Sequence, residues 1–233
     1  DFQELERMHF FFEDIFVYKI VKSDLLGKLE IHGIKNVRYL ARGHRGLVFA
    51  GTYNKKNVIV KIRNPSSKAV ERIQNEAQWL IKLNRHHIGP RLLFSNHDFF
   101  AAQYIEGKLI MDFLRKSTGG EIKHTLFKIF KQLFIMDSMR IDKEELHRPL
   151  KHIIIKGRTP YLIDFERTHY SPKPKNVTQF CQFLTGRKVI ELMRDKKIFI
   201  NREDVIGLSK DYKRSFDGKK LQKKFLEFFS RQA

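Results

Sequence analysis

Three short runs rich in β-branched and aromatic residues, 37–40, 47–53 and 58–62, are separated by two turn-forming tetrapeptides. These are Gly43-His44-Arg45-Gly46 and Asn54-Lys55-Lys56-Asn57. Strands this short with linkers this tight pair as an antiparallel meander, because a parallel arrangement needs a crossover of a dozen residues or more. A helix is expected next, opened by Pro65-Ser66-Ser67 with Ser66 or Ser67 as N-cap. Val70, Ile73, Ala77, Leu80 and Ile81 recur at helical spacing, and the pattern runs out near Leu83-Asn84. Two further strands are expected over 91–95 and 99–105, then a turn at Glu106-Gly107-Lys108.

The second half reads differently. Ile122, Leu126, Ile129, Phe130, Leu133 and Met136 mark one face of a long amphipathic helix over about 121–139. A loop over 141–152 leads to strands at 153–155 and 161–163, and three short helices are expected from about Lys175. Residues 1–30, around Phe10-Phe11-Phe12 and Phe16-Val17-Tyr18, read as a helix or a strand-plus-helix lead-in. The fold class is α+β: a sheet with one helix, a hinge, then a mostly helical half. The domain boundaries expected are an N-terminal extension over 1–36, a first lobe over 37–105 and a second over 106–233.

Composition narrows the classes. Of 233 residues, 42% are hydrophobic and 21 are Phe, enough to pack a core and contrary to wholesale disorder. Lys plus Arg number 46 against 26 Asp plus Glu, a formal +20 that would attract nucleic acid or other polyanions. The basic cluster over 213–224 adds to that field. One cysteine, Cys181, excludes an internal disulfide framework and a cysteine-rich zinc module, and points to a reducing compartment. No apolar run approaches the roughly 18 residues of a membrane span. The acidic N-terminus does not resemble a signal peptide, so a cytoplasmic location is expected.

Several residues carry chemistry. Gly43 and Gly46 lie where backbone N–H groups can approach phosphate oxygens without an intervening Cβ. Lys61 interrupts an apolar strand, where an ammonium needs an anionic partner, and Glu76 follows 15 residues later on the next helix. Asp164 ends the buried run Leu162-Ile163, a carboxylate suited to hard, oxygen-rich ligation of Mg²⁺. The bland readings are an ordinary hairpin turn, a surface lysine and a turn-capping aspartate. His86, His87 and His97 lack metal-site spacing, and Trp79 reads as a packing residue.

In this order (glycine turn, strand Lys, helix Glu, hinge, long helix, loop, strand-Asp-Phe) the sequence resembles the protein-kinase-like superfamily over about 37–167. It is most similar to the small atypical microbial branch: RIO-type kinases, lipopolysaccharide core kinases and predicted archaeal serine/threonine kinases. Ile163-Asp164-Phe165-Glu166 resembles the strand end of those groups. The resemblance implies a bilobal fold with a compact C-lobe and an ATP- and Mg²⁺-dependent transfer to a hydroxyl, most simply of a protein substrate. By the same resemblance Gly43, Gly46 and Val48 would cover the phosphates, Lys61 would contact them and Glu76 would hold Lys61. Gln103 and Ile105 would meet the adenine through their backbone, and Asp164 would bind Mg²⁺.

The family's His-x-Asp loop is absent. Residues 141–152 offer Glu145, Asp142 and His147 as alternative bases and Lys151 as a partner for the γ-phosphate. His152 stands where a metal-binding Asn would precede the strand. A glycan or small-molecule kinase shares this machinery, and a nucleotide-binding pseudokinase or RNA-associated module would also explain the missing loop and the charge.

Overall fold

The computed structural model describes residues 27–42, 46–63 and 72–215, together with 223, 224 and 227. Gly43, the proposed caps Ser66 and Ser67, Val70, the aromatic lead-in before Gly27 and residues 216–222 of the basic cluster over 213–224 lie outside the described residues. The chain divides into two compact units. One comprises the described residues up to Ala77 with Arg91–Tyr104; the other comprises Gln78–Pro90 and the described residues from Ile105.

The first unit is built on a five-stranded antiparallel sheet of β1 (Lys35–Arg42), β2 (Gly46–Tyr53), β3 (Lys56–Arg63), β4 (Leu92–Ser95) and β5 (Phe99–Gln103). The strand order is β1-β2-β3-β5-β4. The β2–β3 hairpin turns through Asn54 and Lys55, both at positive φ (47° and 60°), with Tyr53 paired to Lys56. Two left-handed residues in a two-residue loop match the right-handed twist of the strands they join. Period-two alternation then sorts the side chains. Leu47, Phe49, Val58, Val60, Ile62, Phe99 and Ala101 form one apolar cluster, closed by Leu29 and Ile34. The opposite face carries Val48, Lys61 and Phe100, aligned across three strands by register.

Helix α1 (Arg72–Asn84) follows β3. Ile73, Ala77 and Leu80 are buried on it as expected, and Leu83 is buried too, whereas Ile81 is exposed. Ile81 directly follows the buried Leu80, and successive helical positions are about 100° apart, so the buried stripe does not take in both.

In the second unit a short pairing of β6 (Lys108–Leu109) leads to α2 (Ile110–Lys116), a helix not expected from the sequence. Helix α3 (Gly119–Ser138) starts at a capping box: Glu121 N–H donates to the Thr118 hydroxyl, and Thr118 N–H donates to the Glu121 carboxylate at 2.9 Å. Its apolar face buries Ile122, Leu126, Ile129, Phe130 and Leu133, with Asp137 on the same side.

The expected loop after α3 contains a two-residue strand β7 (Ile141–Asp142) and a 3₁₀ turn (Pro149–Lys151). Strands β8 (Ile153–Lys156) and β9 (Thr159–Leu162) form a hairpin beside β6, and β10 (His169–Tyr170) pairs with β7. Helices α4 (Asn176–Leu184), α5 (Arg187–Asp195) and α6 (Arg202–Ser215) complete the unit. The class is α+β, an antiparallel sheet with several helices. Among the described residues no helix is long and apolar enough to cross a membrane.

Candidate functional site

Each unit carries one cluster of the residues expected to handle phosphate. In the first, the Lys61 ammonium donates to Glu76 Oε2 at 2.5 Å, joining β3 to the first turns of α1. The two side chains are 17% and 6% exposed. Neither charge would be tolerated there alone, since removal from water costs several kcal/mol per ion. The Glu76 carboxylate lies deeper, so the cation has the more solvated end of the pair.

Gly46 opens β2 next to that lysine. A Cβ at position 46 would stand 2.9 Å from the Ile62 carbonyl oxygen and 3.5 Å from Lys61 Cε. Glycine is therefore what allows the strand to run this close to the Ile62 carbonyl. Val48 lies opposite Lys61 in the β2–β3 register and is half-buried. At the end of β5, Gln103 N–H donates to the Arg91 carbonyl at 2.8 Å and Tyr104 N–H to the Asn57 carbonyl at 3.2 Å. Ile105 is buried and is where the chain returns to the second unit.

The second cluster is assembled by two pairings. The Ile163 N–H donates to the His152 carbonyl at 3.0 Å, extending the β8–β9 ladder and setting His152 beside Asp164. His152 Nδ1 is 3.9 Å from Asp164 Oδ2, and Nε2 is 3.5 Å from Glu145 Oε2. The imidazole thus stands between two carboxylates. The other Glu145 oxygen accepts from Arg167 at 2.8 Å. Burial is the main cause that drives the His152 pKa below its usual value, and the Lys143 ammonium pushes the same way. Asp164, Glu145 and Glu166 act against them.

Glu145 and Asp164 share a backbone feature. Both are non-glycine residues at positive φ, 72° and 65°. Such positions cost on the order of 1–3 kcal/mol and persist only where the surroundings hold them. For Glu145 the holding contacts are the buried Leu146 that follows it, whose N–H donates to Gln179 Oε1 at 2.9 Å, and the Arg167 ion pair. For Asp164 the holder is Lys143. This lysine is 2% exposed, donates to the Asp164 carbonyl at 2.7 Å and lies 5.3 Å above the Phe165 ring.

A buried polar hub lies beneath this cluster. Asn176 donates through Nδ2 to Asp137 Oδ1 and to the Ile141 carbonyl, and its Oδ1 accepts from Lys143 N–H at 2.8 Å. Tyr212 O–H donates to the second Asp137 oxygen at 2.9 Å. One asparagine therefore fixes the end of α3, strand β7 and the start of the Lys143–Glu145 segment.

The other loop candidates fall elsewhere. Asp142 is buried on β7 and accepts from Gln179 Nε2 at 3.4 Å; burial raises its pKa. His147 and Lys151 are exposed on the loop between Leu146 and His152. Lys143, Arg167, Asn176 and Asp137 were missed by sequence reasoning. Asp137 alone left a signal, an acid one residue beyond Met136 on the apolar helix face.

Cys181 is buried, and burial pushes its thiol pKa up, away from the range of a nucleophile. Trp79 is buried edge-on to the Tyr170 ring, a packing position.

Among the described residues no group of three or more His, Cys, Asp or Glu is placed to hold a metal ion. A cation that takes most of its ligands from water and phosphate needs fewer. The residues fit that demand. Asp164 offers a part-exposed carboxylate, and the neighbouring His152 Nδ1 is buried with no hydrogen-bond partner. As a softer donor than oxygen, the imidazole is the weaker ligand of the two.

No family model matches the chain. It is 25% identical over 144 residues to a probable serine/threonine-protein kinase of Dictyostelium discoideum. The match covers 54% of this chain and 21% of that kinase, so the chain spans about a fifth of the relative's length.

Proposed function

We propose that the chain is a phosphotransferase that moves the γ-phosphoryl group of ATP to a hydroxyl, in the manner of a serine/threonine protein kinase. In this reading residues 37–105 and 106–233 act as two lobes on one nucleotide. The observation that carries the proposal is the Lys61–Glu76 pair: an ammonium on an apolar strand, held by a buried helix carboxylate and forming the more solvated end of the pair. The similarity to a probable serine/threonine-protein kinase supports it.

The roles follow from the donors available. Lys61 steadies phosphate oxygens, and the backbone at Gly46, which opens β2, approaches them. The backbone of Gln103 and Ile105 meets the base. Asp164, with His152 as neighbour, would hold Mg²⁺, which supplies positive charge against the phosphates when bound. Glu145 receives the acceptor's proton as the hydroxyl oxygen bonds to phosphorus and the bond to the ADP oxygen breaks. Its Oε2 is the oxygen for this task, because Oε1 is held by Arg167. Phosphoryl transfer is loose, so positioning supplies most of the rate and a weakly basic carboxylate suffices. Lys151, exposed on the same loop, would neutralise transferred phosphate.

The test is transfer of label from γ-labelled ATP, with Mg²⁺, to a generic protein acceptor and to a panel of metabolites. Wild type should label an acceptor, and Asp164→Asn and Lys61→Met should each lower turnover at least a hundredfold. Equal turnover in all three proteins would remove the assignment. Label on a metabolite alone would move the acceptor from protein to small molecule.

A further inference from the structure

Within the first unit, a further candidate site lies at the hairpin end of the sheet. A cavity of about 250 Å³ lies between the β2–β3 hairpin and the ends of β4 and β5. Its lining combines two cations, Lys56 and Arg91, with Asn57, Gln103, Tyr53 and Leu93. No carboxylate lines it, and among the described residues none pairs with either cation.

The chemistry of these walls is selective. Two like charges beside one small cavity repel each other and are relieved by an anion, most strongly where the Arg fork meets a phosphate or carboxylate. Tyr53 and Leu93 offer apolar surface to a ring, and Asn57 and Gln103 carry amides that can donate to or accept from its edge. The hairpin is held in shape by Asn54 and Lys55, whose positive φ values fix the loop that carries Lys56. We propose that this cavity binds a small planar anion: one ring bearing a phosphate or a carboxylate.

The position gives the site a consequence. The carbonyls of Arg91 and Asn57 accept the N–H groups of Gln103 and Tyr104, and Tyr104 is the last residue before the chain enters the second unit. A ligand drawing Lys56 and Arg91 together tightens the residues that hold this connecting backbone.

The experiment follows backbone amide signals by NMR while phenyl phosphate, benzoate, inorganic phosphate or phenol is added. Saturable shifts at Tyr53–Val58 and Arg91 with phenyl phosphate or benzoate are expected, and the tighter of the two identifies the anion. The double variant Lys56→Gln/Arg91→Gln, which leaves both backbone carbonyls in place, should weaken binding at least tenfold while keeping the wild-type spectrum elsewhere. Exchange of the Tyr104 amide with solvent should slow severalfold on binding. Shifts that do not saturate, equal affinity in the double variant, or equal affinity for inorganic phosphate would each overturn the site as described. Unchanged Tyr104 exchange would overturn its link to the connecting segment. None of these readouts depends on phosphotransfer.

Discussion

Asp137 is the group whose titration the structure makes most informative. It is 1% exposed, on the apolar face of α3, and burial pushes its pKa from 3.8 up to about 6 against the opposing pull of Asn176, Tyr212 and Val177. The folded chain therefore holds this proton more tightly than the unfolded chain. Below about pH 3.8 both states are protonated and the aspartate costs nothing. As pH rises from there to about 6 the unfolded state loses its proton first, and stability falls. A gap of about two pH units, at about 1.4 kcal/mol per unit, amounts to about 3 kcal/mol.

The assay is urea unfolding between pH 4 and 7.5 at fixed ionic strength, read by fluorescence. The chain has one tryptophan, Trp79, and it belongs to the same unit as Asp137. Asp137→Asn removes the titration. Its amide serves the same donors less well, which shifts its unfolding free energy by a constant and leaves the slope to be compared. Wild type should lose about 3 kcal/mol relative to the variant across this range, with the change centred between pH 4 and 6. Parallel curves, or a wild type that gains stability relative to the variant, would refute the reasoning.

Three further outcomes are expected. Glu76→Gln leaves the Lys61 charge part-buried without its counter-ion and should cost about 3 kcal/mol, seen as faster hydrogen exchange along β3. Lys143→Met removes a cation that depresses His152, so the His152 imidazole should titrate at higher pH by NMR, and an unmoved titration would contradict the geometry. Thr118→Ala breaks the capping box of α3 and should lower the unfolding free energy by about 1 kcal/mol, read by Trp79 fluorescence in urea.

Much of the scaffold was legible because its signals are local. The alternation Leu47, Phe49 and Val58, Val60, Ile62 declares which face of the sheet is buried, and six apolar residues at helical spacing declare α3. What escaped has no local signal. Strands β7 and β10 are two residues each, and neither shows a period; only their pairing across 27 residues, Asp142 with His169, makes them strands. Helix α2 is seven residues long and follows a turn, too short for periodicity to separate it from a strand.

The candidate site divides along the same line. Lys61 and Asp164 stand out because each interrupts or ends an apolar run, and Glu76 because it follows Lys61 by 15 residues on the expected helix. Lys143 does not, since a lysine between Asp142 and Glu144 reads as solvated surface, yet it is among the most deeply buried large side chains. Its burial depends on Phe165 and Asn176, residues 22 and 33 positions away, and no window of sequence contains that information. Arg167 and Glu145 are likewise ordinary surface residue types until the fold brings them to 2.8 Å.

The two left-handed carboxylates have a consequence for selection. Glycine would adopt the backbone of residues 145 and 164 without strain, so a library of variants sorted for stability alone would favour glycine at both. On the proposed function, sorting the same library for phosphotransfer would reject it at both. Positions where the two enrichments disagree in sign mark side chains kept for what they do. On this structure 145 and 164 should head such a ranking, ahead of any residue in the apolar core, where the two selections would agree.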